Sequence, residues 1–172
     1  MLNNKAKAGG VYKVVCHDAD GNFKWEESTH NLVVNTGLQD MNTQYFKGSS
    51  YTAAWYLGLI TGPGSGTTIS ASDTMSSHAG WSEDTNYSQS TRPACSFGAA
   101  TTADPSVITN SGSPASFSIN GTTTVAGAFL ATVSSGTSGT LFSEADFESP
   151  GDRVVVAGDT LNVTYTFSLD AA

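Results

Sequence analysis

Three histidines, His17, His30 and His78, are the side chains of this 172-residue chain best suited to metal ligation or proton transfer, and two cysteines, Cys16 and Cys95, are its only thiols. Zinc sites gather Cys and His ligands at short, regular spacings, and no histidine here has a second ligand at such a spacing. Ser77-His78 with Asp73 nearby supplies the residue types of a hydrolytic triad. A triad needs its base and its orienting acid to converge on the nucleophile in space, and closeness in sequence does not provide that. The acid pairs Glu26 with Glu27, Glu83 with Asp84 and Glu144 with Asp146 have the chemistry of a glycosidase, which sets two carboxylates across a sugar. Solvated edges and turns explain them more simply. Asp18, Asp20 and Asn22 cluster hard oxygens, but the Gly and the later Glu of a calcium loop are out of register, which leaves a turn. Gly62-Pro-Gly-Ser-Gly66 lacks the lysine and the following helix of a phosphate-binding loop. No catalytic residue, metal ligand or cofactor is therefore assigned, and the chain is expected not to be an enzyme.

The aromatics remain as recognition residues: Trp25, Trp55, Trp81, Tyr12, Tyr51, Tyr56 and Tyr87. Trp55 and Tyr56 fall in the apolar run Ala53-Ala-Trp-Tyr-Leu-Gly-Leu-Ile60, which is too short for a helix in this setting and suits a central strand covered on both faces. Trp81 and Tyr87 fall instead in residues 61–93, a long connection rich in turn formers, where they either anchor a partner or pin the loop to the core.

The elements that position these residues read as strands. Val11-Tyr-Lys-Val-Val-Cys16 and Phe23-Lys-Trp-Glu-Glu27 flank an Asp-Gly turn and predict a hairpin, on which Lys24, Glu26 and Glu27 blunt an exposed edge. His30-Asn-Leu-Val-Val-Asn35 predicts a short strand. Leu38, Met41, Tyr45 and Phe46 then recur at helical spacing, predicting one helix of about three turns near 36–46, capped by Asn35 or Thr36 and stopped by Gly48. Further strands are expected at 94–97, 116–119, 124–132, 140–142 and 153–156. In Thr160–Leu169, Leu161, Val163, Tyr165, Phe167 and Leu169 share one face. Eight or nine short strands with turn punctuation give an all-β, single-domain β-sandwich or jelly-roll-like barrel. Residues 1–10, with two Lys, paired Gly and no aromatic, are expected to be a flexible arm, and 11–172 the β domain.

Only 13% of residues are charged, and the net charge is −8. Residues 1–47 hold five Lys against five acids, whereas 48–172 hold two Arg against ten, so the whole excess lies in the later part. An acidic surface repels phosphate backbones, which argues against nucleic acid as a partner. No apolar run approaches a membrane span and the first residues lack a signal peptide's apolar stretch, so synthesis is expected to end in the cytoplasm with Cys16 and Cys95 reduced.

One segment carries more than composition does: Ser72-Asp-Thr-Met-Ser-Ser-His-Ala-Gly-Trp-Ser-Glu-Asp-Thr-Asn-Tyr-Ser-Gln-Ser-Thr-Arg-Pro93. Its wording is similar to that of structural proteins encoded by tailed bacteriophages. The likeness continues through His30–Leu38, Tyr56–Ile60, Ser118–Asn120, Gly127–Leu130, Gly139–Phe142 and Ala157–Tyr165, and is weakest over the first 29 residues. The resemblance implies a virion structural protein, a head decoration (cement) protein on the capsid surface, with the major capsid protein as partner and a homo-oligomer such as a trimer as its state. In that role Lys5 and Lys7 of the arm and Trp81, Tyr87 and Arg92 of the long loop would make the contacts. The alternative is a tail-associated receptor- or carbohydrate-binding module that stacks the loop aromatics on sugars.

Overall fold

The structure is a computed structural model that describes residues 6–48, 53–62, 67–148 and 151–171. Strands β1 (Lys7–His17) and β2 (Phe23–His30) form the expected hairpin. Its turn closes because the Asp18 carboxylate accepts the backbone N–H groups of Asp20 at 3.0 Å and Asn22 at 2.8 Å, while Gly21 takes the positive φ of 84° that a side chain would resist. The Asp18 oxygens that resembled part of a calcium loop are thus spent on the turn itself.

After β3 (Leu32–Val33) and the helix α1 (Asn35–Lys47) come β4 (Tyr56–Thr61), β5 (Ser82–Asp84), β6 (Ser106–Thr109), β7 (Ala115–Ser118), β8 (Thr123–Val125), β9 (Gly127–Ala131), β10 (Leu141–Asp146), β11 (Arg153–Val155) and β12 (Thr160–Asp170). One antiparallel sheet runs β2-β1-β12-β6, with β7 also pairing along β12; the second runs β3-β10-β9-β4-β5; β8 and β11 form a separate ribbon. The first and last strands pair over their full length, from Lys7 opposite Asp170 to His17 opposite Thr160. The gap between β6 and β7 is bridged by Asn110, whose side chain accepts from the Tyr165 N–H at 2.7 Å and donates to the Val163 carbonyl at 3.2 Å.

The fold is all-β and sandwich-like, as expected. Tyr12, Val14, Cys16, Phe117, Leu161, Val163 and Tyr165 from the first sheet pack with Leu57, Leu59, Ala128, Leu130 and Ala145 from the second in one apolar cluster. A second cluster, Ile60, Phe129, Ala131 and Leu141 with Val34, Met75 and Trp81, covers the opposite face of the second sheet. That sheet is buried on both sides, which is why β4 and β9 read as unbroken apolar runs. Cys16 and Cys95 are free and buried, and burial pushes their thiols up to about 11 and about 12. No helix among the described residues is long and apolar enough to cross a membrane.

Several expectations are corrected. The flexible arm does not extend to residue 10: from Lys7 onward the chain is strand. Gly10 is a packing feature, because a Cβ there would come within 2.6 Å of the Thr166 carbonyl oxygen and 3.1 Å of the Tyr165 ring, whereas one at Gly9 would meet nothing within 4 Å. Lys5 and the rest of 1–5 lie outside the described residues, as does Tyr51. The stretch 124–132 is two strands, since the chain changes partner at Ala126, whose N–H donates to Ile60 at 2.7 Å. Residues 94–97 lie beside β4 through single hydrogen bonds and form no strand. In β12 the inward alternation ends at Tyr165, and Leu169 is exposed.

The helix lies where its spacing predicts, but its capping and burial differ. Its N-cap is Val34, without a side-chain cap, because the Thr36 hydroxyl donates to the Leu141 carbonyl at 2.8 Å. Gly48 is extended, with φ −68°. Gly37 is its only buried residue, and Leu38, Tyr45 and Phe46 are exposed.

Candidate functional site

The segment that carries the resemblance covers the outer face of the second sheet. It has little regular structure, so its shape depends on side chains. Met75 and Trp81 insert into the outer apolar cluster, with the Trp81 ring 5.1 Å from that of Phe129 and stacked at 3.8 Å against His78. The indole N–H donates to Glu144 Oε2 at 2.8 Å, and the Ser70 N–H donates to Oε1 at 2.9 Å. One fully buried carboxylate on β10 therefore ties down Trp81 of the segment and Ser70 just before it, eleven residues apart.

The second fastening is Arg92. Its guanidinium forms two bonds with Glu83, 2.7 Å from Nε and 2.6 Å between Nη2 and Oε2, a bidentate pair. The same group donates to the carbonyls of Val133 at 2.9 Å and Gly136 at 3.0 Å, and lies 5.3 Å from the centre of the Phe129 ring. It thus joins the end of the segment, strand β5 and the loop after β9. The third fastening is Asp84, whose carboxylate accepts from the Asn86 N–H at 2.8 Å, the Asn86 side chain at 2.8 Å and the Thr123 hydroxyl at 2.7 Å. Beyond it, Tyr87 packs edge-on to Phe117 at 5.0 Å and bridges to Ile119.

These positions correct the assignment of partner contacts. Trp81, Tyr87 and Arg92 are 4%, 7% and 3% exposed, so they anchor the loop to its own core and offer no surface to another molecule. Of the other two residues assigned to contacts, Lys7 is exposed at the start of β1, and Lys5 lies outside the described residues.

Several of the residues with catalytic potential are likewise occupied by the fold. His78 Nδ1 bonds with the Trp81 carbonyl at 3.1 Å. Glu26 pairs with Lys13 at the surface, Glu27 pairs with Arg153 at 2.8 Å, and Glu83 holds Arg92. Among the described residues no group of three or more His, Cys, Asp or Glu is placed to hold a metal.

Burial pushes the Glu144 carboxyl up to about 7, and the neighbouring Asp73 carboxylate pushes in the same direction, while the donors at Ser70 and Trp81 act against both. Asp73 is itself buried and its Oδ2 has no hydrogen-bond partner. A proton carried by the pair removes the repulsion and gives that oxygen a donor. Asp146, two residues along β10, is pushed up to about 6 by burial and then by the charges of Asp152 and Glu148.

Glu144 went unassigned in the sequence except as half of an acid pair. A signal was present: it is the one charged residue in Leu141-Phe-Ser-Glu-Ala145, otherwise small or apolar, and a buried strand admits a carboxylate only where donors meet it. The Arg92–Glu83 pair, nine residues apart with no helix between, left no such mark.

Comparison with known proteins returns nothing. No family model, no curated protein and no solved structure matches this chain.

Proposed function

We propose that the chain is a structural protein of a tailed-bacteriophage virion, a head decoration protein that binds the assembled capsid and stabilises it. The observation that carries this reading is the wording of Ser72–Pro93, together with the use the fold makes of the same segment. It is fixed as a rigid cover by Glu144, Arg92 and Asp84, and it turns Ser76, Ser77, Ser82, Thr85, Ser88 and Ser90 outward. A surface already ordered before binding loses little side-chain and loop entropy on docking. A protein that binds the assembled lattice and not free subunits stabilises the lattice by mass action, and repetition over many sites multiplies the effect.

The tail-associated carbohydrate-binding alternative relied on Trp81 and Tyr87 as sugar-stacking rings. Both rings are enclosed by the protein's own core and present no face to a ligand. Decoration through the hydroxyl-rich outer surface needs no exposed ring, and the hydrogen bonds of such a surface suit a polar interface rim.

Co-sedimentation of the purified protein with heads that lack it tests this reading. The wild-type chain is expected to saturate heads and to ignore isolated tails. The double variant Ser76→Arg, Thr85→Arg, altered only at exposed positions, is expected to bind heads at least tenfold more weakly with an unchanged thermal midpoint. Wild-type binding to tails alone contradicts decoration, and full binding by the variant removes this face as the contact.

A further inference from the structure

Residues 70–81 lie over the second sheet and are tied to it at few points. Ser70 and Trp81 donate to the two oxygens of Glu144, the Ala71 carbonyl accepts the Asn35 N–H at 2.8 Å, and Met75 and Trp81 fill the outer apolar cluster. Within hydrogen-bonding reach of Glu144 is a second carboxyl, that of Asp73, which the segment itself carries. Glu144 is 0% exposed and Asp73 8%, and Asp73 Oδ2 is enclosed without a donor. Among the described residues neither carboxylate is paired with a cation. The surroundings of Glu144 do not supply one. Its partners across the sheet, Leu32 on β3 and Phe129 on β9, are apolar. Arg92 lies over that Phe129 ring but is held by Glu83, and His78 stacks on the Trp81 indole with its Nδ1 on the Trp81 carbonyl. Asp146 on β10, and Asp40 on α1, which lines a recess with Thr74, bring only further carboxyls. Tyr12 of β1 meets β10 from the first sheet, where its hydroxyl donates to the Ser143 carbonyl at 3.1 Å. Two carboxylates enclosed together are costly, and one shared proton both removes a charge and supplies the missing donor.

We propose that residues 70–81 are a proton-latched cover: one proton shared between Asp73 and Glu144 holds the segment closed, and its loss lets the segment lift as a unit while the two sheets stay folded. The division into cover and body follows from the packing. The inner cluster that joins the sheets contains no residue of 70–81, so lifting the segment uncovers Ile60, Phe129, Ala131 and Leu141 and leaves the sandwich core intact. A local opening of this kind takes less free energy than global unfolding. It also admits water to both carboxylates, so the charged pair is the form that gains from it. Burial, with the Asp73 charge, pushes Glu144 up to about 7 from an ordinary 4.5. The closed cover therefore keeps a proton that the open one releases between those limits, and opening becomes more frequent as pH rises through them. Ser76 and Ser77, which the closed cover turns outward, move with it. The proposal does not depend on the virion reading.

Hydrogen exchange of the full chain, followed by mass spectrometry at pH 6 and pH 8.5 and corrected for the intrinsic rate, tests it. Peptides within 70–81 are expected to exchange about tenfold faster at pH 8.5 than at pH 6. At pH 8.5 they are also expected to exchange faster than β1 and β12, which open only with the whole fold. Asp73→Asn, whose amide donates to Glu144 at every pH, is expected to keep at pH 8.5 the protection that the wild type shows at pH 6. Corrected exchange in 70–81 that does not change with pH overturns the proposal. So does exchange there no faster than in β1 and β12 at pH 8.5, which would make the opening global. An Asp73→Asn chain that folds and still exchanges like the wild type at pH 8.5 overturns it too, and the wild-type comparison decides alone if the variant does not fold.

Discussion

Replacing Arg92 by Ala is expected to lower the stability of the fold by about 3–5 kcal/mol, the range found when one partner of a buried ion pair is removed. The guanidinium is nearly inaccessible and serves Glu83, two carbonyl oxygens and the Phe129 ring at once. Truncation leaves the Glu83 carboxylate facing a cavity and deprives the carbonyls of Val133 and Gly136 of their donor. Glu83 retains some access to water, which places the expected loss toward the lower end of that range. Arg92→Lys keeps the charge but lacks the planar fork, so it is expected to recover less than half of the loss. Urea titration measures both: a fall in midpoint at constant slope is the predicted outcome, and an Arg92→Ala midpoint within error of wild type would show that the clamp contributes nothing net.

Acidification from pH 8 to pH 5 is expected to stabilise the protein, the reverse of the usual behaviour of carboxylates held in ion pairs. The sign follows from Glu144. Its ordinary value is 4.5 and its folded value about 7, so between those limits the folded state holds a proton that the unfolded chain has released. The contribution of Glu144 to stability is therefore greatest below about 4.5, falls as pH rises through the interval, and carries its full penalty above about 7. At about 1.4 kcal/mol per pH unit the interval corresponds to about 2–4 kcal/mol. Asp146, with a folded value of about 6, acts in the same direction at lower pH.

Glu144→Gln removes the titration while keeping a similar shape, and it is expected to flatten most of the dependence between pH 5 and pH 8. Thermal midpoints of the two proteins across that range provide the check. A wild type that gains stability toward pH 8, or a variant with the wild-type slope, contradicts the assignment. The physical consequence lies in residues 70–81: above pH 7 the charged Glu144–Asp73 pair repels itself beneath the cover that Ser70 and Trp81 hold in place.

Local chemistry was legible in the sequence where one short rule decided the outcome. The Asp-Gly pair placed the first turn, and alternation placed β12 from Leu161 to Tyr165. The unbroken apolar run at Leu57–Ile60 marked a strand covered on both faces, and the length and position of α1 followed from its spacing. What stayed hidden was the identity of the covering layer. The period of β4 says that both faces are dry, but not that the outer one is closed by Met75 and Trp81 from a segment with little regular structure. Trp81, Tyr87 and Arg92 of that segment were assigned to a partner surface, yet a buried anchor and an exposed one are written with the same letters. Only the partners Glu144, Phe117 and Glu83 distinguish them, and each of those contacts joins residues that no local pattern links. The helix misled in the opposite way, since its apolar spacing announces a face without saying whether that face turns toward the core or toward another molecule.

The proposed decoration role is tested most directly by the copy number of this chain in phage particles purified from a lysate that contains it, measured by quantitative mass spectrometry against the major capsid protein. Decoration predicts hundreds of copies per particle, in fixed proportion to the capsid protein. A handful of copies would place the chain in the tail, and its absence from particles would contradict a virion role altogether.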